Sequence, residues 1–330
     1  MSNPTPSTRG IEKAMNLTVA KTLVVHNSER QLCQPCLRIV LFGRAMDTAP
    51  GLTAPLDAFV DRFGKNIGWY RNGFHQANPK RWPKEGGAAV LEATRREMTL
   101  SRGAVAELLA PSKKGEWLAP AFLYWKRARV SEPFAAISLP LAYLEECGSG
   151  GIDGILQEIL AADFPLASGY VGLSLLWNHS FPSDEVWLTD FFQRCLANYP
   201  GLMHPNFLAQ LEPARAGLVD VGWYTLLGPE LAARAGGIEQ VSGRLPATLR
   251  NMITFDALAG GAMVIKAGPA PVLGDRQAGE AAPLQSAVGS ALAALCDVEK
   301  NGKQLVSGFA PVGEMEERRR WANRFFVAGG

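Results

Sequence analysis

The sequence predicts an α+β protein, with mixed or antiparallel sheets layered with helices. Candidate strands and amphipathic helices alternate only loosely along the chain. Several strand candidates follow one another with no helix between them, whereas a strictly parallel sheet needs a crossover for each strand. Hydrophobic residues make up 47% of the chain against 19% charged, an ordinary globular composition with enough apolar material for a sizeable core. A strand-helix-strand order near 37–130 and again near 134–178 allows two pseudo-repeated β-α-β halves, although the two stretches share no repeat that can be aligned.

Residues 1–18 are polar and rich in Pro and Ser, the composition of a loose N-terminal arm. That leaves 19–330 as a single domain, with a division into two subdomains allowed near 131–135. Leu37 to Phe42 (LRIVLF) is a short apolar run and predicts a strand. Leu52, Leu56, Phe59, Val60 and Phe63 then share one face of a helix that Thr53 and Pro55 open. GWYRNGFHQANPKRWPKEGG reads as a long irregular segment, and Val90, Leu91, Thr94 and Met98 mark a second helix. PAFLYW and FAAISLPLAYL are the next strand candidates.

Ile152, Ile155, Leu156, Ile159 and Leu160 fit the spacing of an amphipathic helix. Val171, Leu173, Leu175 and Trp177 alternate as a half-buried strand. Ser183 is placed to cap a helix whose stripe runs through Trp187, Leu188, Phe191, Phe192, Cys195 and Leu196, and Tyr199-Pro200-Gly201 ends it. Val219, Val221 and Trp223 alternate again. Pro229 opens the helix PELAARA and Gly236-Gly237 closes it. Ile253 and Phe255 begin a strand, AMVIKA is another, and Leu284 to Leu295 gives a further helical stripe. In the last helix Glu314–Arg318 and Glu316–Arg320 are spaced to pair, with Trp321 and Phe325 on the other face.

Formal net charge is only +2, from 33 basic and 31 acidic residues, so no field of one sign recruits nucleic acid or a membrane surface. The N-terminus lacks the apolar stretch of a secretory signal, and no apolar run approaches the about 20 residues that span a bilayer. A cytoplasmic location is expected. The five cysteines are an odd number, consistent with reduced thiols. Cys33 and Cys36 form a CQPC, but it precedes a strand rather than opening a helix, and no second ligand pair stands at zinc spacing. Two partly buried thiols at a strand entrance is the better reading.

No catalytic constellation emerges. His26, His75, His179 and His204 are isolated from acidic clusters and from one another. GSGGIDG, from Gly148 to Gly154, lies between a strand and a helix as a dinucleotide loop would. Asp153 stands where the third glycine belongs, and an ordinary turn accounts for it better. AGPAPVLGD lacks the Gly-Lys-Ser/Thr of a phosphate loop, and Asp275 is better placed to cap a turn. There is no G-x-S-x-G elbow. Neither enzymatic activity nor a cofactor is expected. One segment has the residue types of an interface: Trp69, Tyr70, Arg71, Phe74, His75 and Trp82 crowd together, and Trp, Tyr and Arg dominate binding hot spots. The same residues also serve to anchor a loop onto a core. Lys80, Arg81 and Lys84 are too few to argue for nucleic acid.

The C-terminal motifs carry a family resemblance. GWYTLLGPELAARAGG, VIKAGPAPVLGD and GEMEERRRWANRF together resemble the type VI secretion system immunity family, long catalogued as a domain of unknown function. The matching positions are Trp223, Thr225, Leu227, Gly228, Gly236, Gly237, Ala267, Gly268, Pro271, Gly274, Asp275, Trp321, Arg324 and Phe325. YPGLM at Tyr199 to Met203 resembles the family's Tyr-Pro-Gly-Leu-Asp, with Met203 in place of the acid. The resemblance covers 20–326, with its specific motifs after 195. It implies a protein that binds and neutralises a cognate effector toxin, a nuclease of restriction-endonuclease-like or VRR-Nuc type, by blocking its active site or substrate groove. The motif residues themselves look structural, so toxin contacts are expected elsewhere. Two other readings stay open: an α/β small-molecule or nucleotide-binding enzyme, resting on GSGGIDG and AGPAPVLGD, and an adaptor that loads the effector for secretion.

Overall fold

The computed structural model describes residues 20, 21, 23, 25, 26, 31–44, 50–72, 80–99, 103–109, 120–127, 130–177, 185–204, 210, 214, 215, 217–300 and 315–326. The expected arm at 1–18 lies outside them, as do Phe74, His75, His179, Ser183 and Glu314 and the side chains of Trp187 and Leu188.

Among the described residues, eleven strands form one sheet. In chain order they are β1 (Val25–His26), β2 (Gln31–Gly43), β3 (Trp69–Asn72), β4 (Lys80–Arg81), β5 (Ala104–Leu109), β6 (Ala121–Arg127), β7 (Val130–Pro140), β8 (Leu166–Trp177), β9 (Tyr224–Leu227), β10 (Ile253–Ala257) and β11 (Met263–Ala267). They lie in the order β10-β11-β9-β8-β2-β7-β6-β5-β3-β4, with β1 on β2, and neighbours run antiparallel. The α+β class expected from the sequence is the observed one, in its antiparallel form.

β2 sits at the centre, held by β7 on one side and β8 on the other. Ile39, for example, faces Ile137 and Val171. A strand buried on both faces cannot alternate apolar with polar, which is why LRIVLF is a continuous run. Leu37, Ile39 and Leu41 enter the main core, while Val40 and Phe42 join Phe134, Tyr170, Met203 and Val219 on the opposite face. Cys33 and Cys36 lie within β2, not at its entrance, and both are buried. Residues 131–135 fall in β7, between β2 and β6.

The main-core face is covered by α1 (Ala54–Phe63), α2 (Gly87–Thr99), α3 (Leu141–Ala161) and α4 (Glu185–Asn198). Arg62 of α1 pairs with Glu158 of α3, and Arg95 of α2 with Asp57 of α1, so ion pairs stitch the helical layer. Toward β9 and β11 the other face carries a second core, where Leu227, Met263 and Ile265 meet α5 (Pro229–Ala235), α6 (Gly237–Arg244) and α8 (Pro283–Ala291). The short α7 (Ala247–Arg250) leads into β10, and α9 (Met315–Ala322) closes the described chain.

Four local expectations are corrected. FAAISLPLAYL is not one strand: Pro140 ends β7 and Leu141 starts α3. GSGGIDG is therefore not a strand-to-helix turn but a kink inside a helical run, centred on Gly148 at φ 58, ψ −159. Val219 to Trp223 alternates in sequence yet is irregular, and the strand begins at Tyr224. The aromatic segment is not wholly irregular, because Trp69–Asn72 pairs with β5 and β4.

Candidate functional site

Several of the motif residues, drawn from the Tyr199-Pro200-Gly201 turn and from the C-terminal Trp321 to Phe325, meet in one buried clasp. Arg324, just after α9, is its centre. Its guanidinium donates to the Pro200 carbonyl at 2.7 Å and the Leu202 carbonyl at 3.3 Å, and meets the Asp220 carboxylate at 3.1 Å. The side chains of Arg324 and Asp220 are 2% and 3% exposed. Arg324 also stacks over Trp321 and Phe325, each 4.4 Å from the ring centroid. Burial pushes the Asp220 carboxyl up, and Arg324 with the Val221 N–H pulls it part of the way back. A buried charge is tolerated only when it is paired and hydrogen-bonded, and here both conditions are met.

The other motif residues fix turns and close contacts elsewhere in the C-terminal part. Trp223 is buried and its indole N–H donates to the Gly268 carbonyl at 2.9 Å. Gly268, Gly274, Gly236 and Gly237 all have positive φ, where a side chain is strained. Gly228 is there for another reason: a Cβ would lie 2.0 Å from the Leu166 carbonyl oxygen. Gly201 is tighter, 1.9 Å from the Val272 oxygen. Asp275 caps the turn that follows it, accepting from the Gln277 and Ala278 N–H groups and from Asn198. Thr225 faces Tyr170 in the sheet and Pro271 is buried in the irregular run before Gly274. Met203, where an acid was expected, is buried over Gly172, a place that suits a thioether and not a carboxylate.

The aromatic segment lies at the far side of the sheet. Tyr70 and Trp82 meet edge-on at 5.9 Å and rest against the main core. Trp69 and Arg71 point to the other face, where Arg71 pairs with Glu107 at 2.9 Å. All four are partly exposed, and Phe74 is outside the described residues. Among the described residues, only β4, two residues long and exposed, lies beyond β3. The structure thus gathers Trp69, Tyr70, Arg71 and Trp82 at one sheet edge, well away from the clasp in strand order.

The other reactive residue types are dispersed or sealed. Burial raises the Cys33 and Cys36 thiols, and pushes Cys195 up to about 12. Such thiols stay protonated at neutral pH and make poor nucleophiles. His204 is buried beside Trp321, ring centroids 5.4 Å apart. Among the described residues, no group of three His, Cys, Asp or Glu side chains is arranged to hold a metal ion. None of the described helices is long and apolar enough to cross a membrane.

A family model described as TsiV, type VI immunity for VRR-NUC, matches residues 52–325. A solved structure of the Pseudomonas aeruginosa T6SS protein PA0821 superposes with a TM-score of 0.71 at 18% identity, over 98% of this chain and 92% of that one. At that identity the likeness shows the fold alone. No curated protein matches the sequence.

Proposed function

Because the chain belongs to the TsiV family of type VI immunity proteins for VRR-NUC, we propose that it binds its effector's nuclease domain stoichiometrically and covers the active site or substrate groove. The family match over residues 52–325 carries this reading, since it takes in most of the sheet and every C-terminal motif. The role is that of a binding protein and not a catalyst. In support, the motif residues Arg324 and Trp223 are buried and engaged with protein atoms, Arg324 with Asp220 and Trp223 with the Gly268 carbonyl. We read 19–330 as one unit acting in the cytoplasm of the producing cell, before the effector is exported.

Trp69, Tyr70, Arg71, Phe74 and Trp82 are candidate contact residues. The four described ones, Trp69, Tyr70, Arg71 and Trp82, combine hot-spot residue types with partial exposure near a sheet edge. The test is protection. Co-expression with the cognate VRR-NUC effector should preserve viability, and the two purified proteins should form a stable complex with nuclease activity abolished. If the effector kills equally well in the presence of this chain and no complex forms, the reading fails. Protection of a naive, non-secreting cell by this chain alone would separate immunity from an effector-loading role.

A further inference from the structure

The register of β3 divides the candidate contact residues into two kinds. Tyr70 stands opposite Leu108 of β5, a residue of the main core, and meets Trp82 edge-on at 5.9 Å. Trp82 donates its backbone N–H to the Gly68 carbonyl at 2.7 Å. Its indole lies against Gly87 at the start of α2, where a Cβ would come within 3.0 Å of the ring. These two rings brace the edge from the helical side. Trp69 and Arg71 stand opposite Leu109 and Glu107 and so face the other way.

That outward face is partly open. The second core, with α5, α6 and α8, lies on this side of the sheet at its β9–β11 end. Trp69 and Arg71 are partly exposed, and Arg81, opposite Trp69 on β4, is exposed. Arg71 is paired with Glu107 at 2.9 Å. Lys80, Arg81 and Lys84 make no ion pair among the described residues, and Glu85 is the one carboxylate between Trp69 and Gly86. The positive charge belongs to this whole end of the sheet. Residues 62–129, which contain β3 to β6 and α2, hold fourteen Lys or Arg and five Asp or Glu, whereas the rest of the chain holds nineteen and twenty-six. Charged residues by themselves blunt an open edge strand against pairing. That role gives no reason for a large ring left half-exposed among the cations, whereas Trp and Arg together are the usual anchors of a protein contact.

We propose that Trp69, with Arg71 and Arg81 beside it, forms the contact face for an acidic surface of the VRR-NUC effector. The inference rests on the immunity reading above, and it separates the residues that touch the effector from Tyr70 and Trp82, which hold them in place. Charge complementarity selects the occupant. Guanidinium groups pair with carboxylates, and the indole supplies apolar area to be covered. The cations with which a nuclease neutralises phosphates carry the wrong sign for this end of the molecule, so the contact lies outside them. Complementary charge acts chiefly on the association rate and its salt dependence, and a covered ring on the rate of dissociation.

The experiment measures association and dissociation of the full chain with a catalytically inactive cognate VRR-NUC domain at several ionic strengths. Trp69→Ala and Arg81→Glu are compared with Arg96→Glu, the same reversal at an exposed position of α2 on the other side of the sheet. An unchanged unfolding midpoint shows that each variant is folded, and Arg81, on an exposed two-residue strand, keeps the test available if Trp69→Ala does not fold. Trp69→Ala is expected to speed dissociation about tenfold or more. Arg81→Glu is expected to slow association about tenfold at low salt and to flatten its salt dependence, with Arg96→Glu near wild type. Binding by Trp69→Ala and Arg81→Glu at wild-type rates and salt slopes would overturn the contact face while leaving the immunity reading intact. Retention of duplex DNA by the chain alone, lost in Arg81→Glu, would assign the face to nucleic acid and overturn it as well. No association by wild type would overturn both the face and the immunity reading.

Discussion

Arg324 and Asp220 illustrate how much can depend on one buried pair. Either partner alone would be an uncompensated charge in a site that is 2–3% exposed. Arg324→Ala and Asp220→Ala should each lower the unfolding free energy by about 3–5 kcal/mol, and chemical denaturation of the purified variants measures it. Arg324→Lys should recover little, because one ammonium cannot reach Pro200, Leu202 and Asp220 together. Glu107 gives a pH signature. Burial raises its carboxyl, with Arg71 opposing, so the folded state holds the proton longer than the unfolded chain. Stability from this group is present below the ordinary carboxylate range and is lost as pH rises through the raised value. Glu107→Gln should therefore gain stability relative to wild type as pH rises through the weakly acid range. The thiols divide by exposure: at mildly alkaline pH an alkylating agent should label exposed Cys147 and spare Cys33, Cys36 and Cys195, as read by mass spectrometry. The turn and cap roles of Asp275 and the glycines were legible in the sequence because backbone chemistry is local. The partner of Arg324 was not, since Asp220 lies 104 positions away.

At the scale of elements, legibility follows length and periodicity. The long runs of β2, β8 and α8 were readable because a buried strand or a helical stripe announces itself within ten residues. β3 was hidden, since four partly buried residues between glycines carry no period. α6 was hidden too: Gly236 caps α5 in the left-handed region, as expected, but Gly237 starts another helix immediately. Sequence alone does not separate β7 from α3, because Pro140 serves equally as the end of a strand and the residue before a helix. The glycines at close contacts make the sharpest test. Gly201→Ala and Gly228→Ala drive a Cβ into a backbone carbonyl and should cost about 1–3 kcal/mol or more. Gly150→Ala, facing open space, should be neutral or slightly stabilising, which thermal unfolding would show.

For the whole molecule, the sequence predicts mixed or antiparallel sheets layered with helices, but not that one antiparallel sheet, of eleven strands among the described residues, takes in residues from both sides of 131–135. Pairing across such distances leaves no local trace. The aromatic residues gathered near one sheet edge are a consequence of strand order and could not be read before that order was known. β2 takes β7 and β8 as its neighbours, and a cut after residue 133 severs β7 itself and leaves β8 on the other fragment. Fragments 19–133 and 134–330 produced separately should lack cooperative unfolding, and mixing them should restore it only if the sheet re-forms.

The position of β2 bears on timing. During synthesis it emerges with only its start paired, to β1, and the rest of both edges waits until residues 130–177 have followed. The clasp at Arg324 arrives later than every strand. A nascent chain therefore has no finished sheet to offer an effector, and newly begun synthesis gives a cell no immediate cover. Protection by such a topology depends on a standing stock of completed molecules, so a cell that makes the toxin must keep making its antidote first.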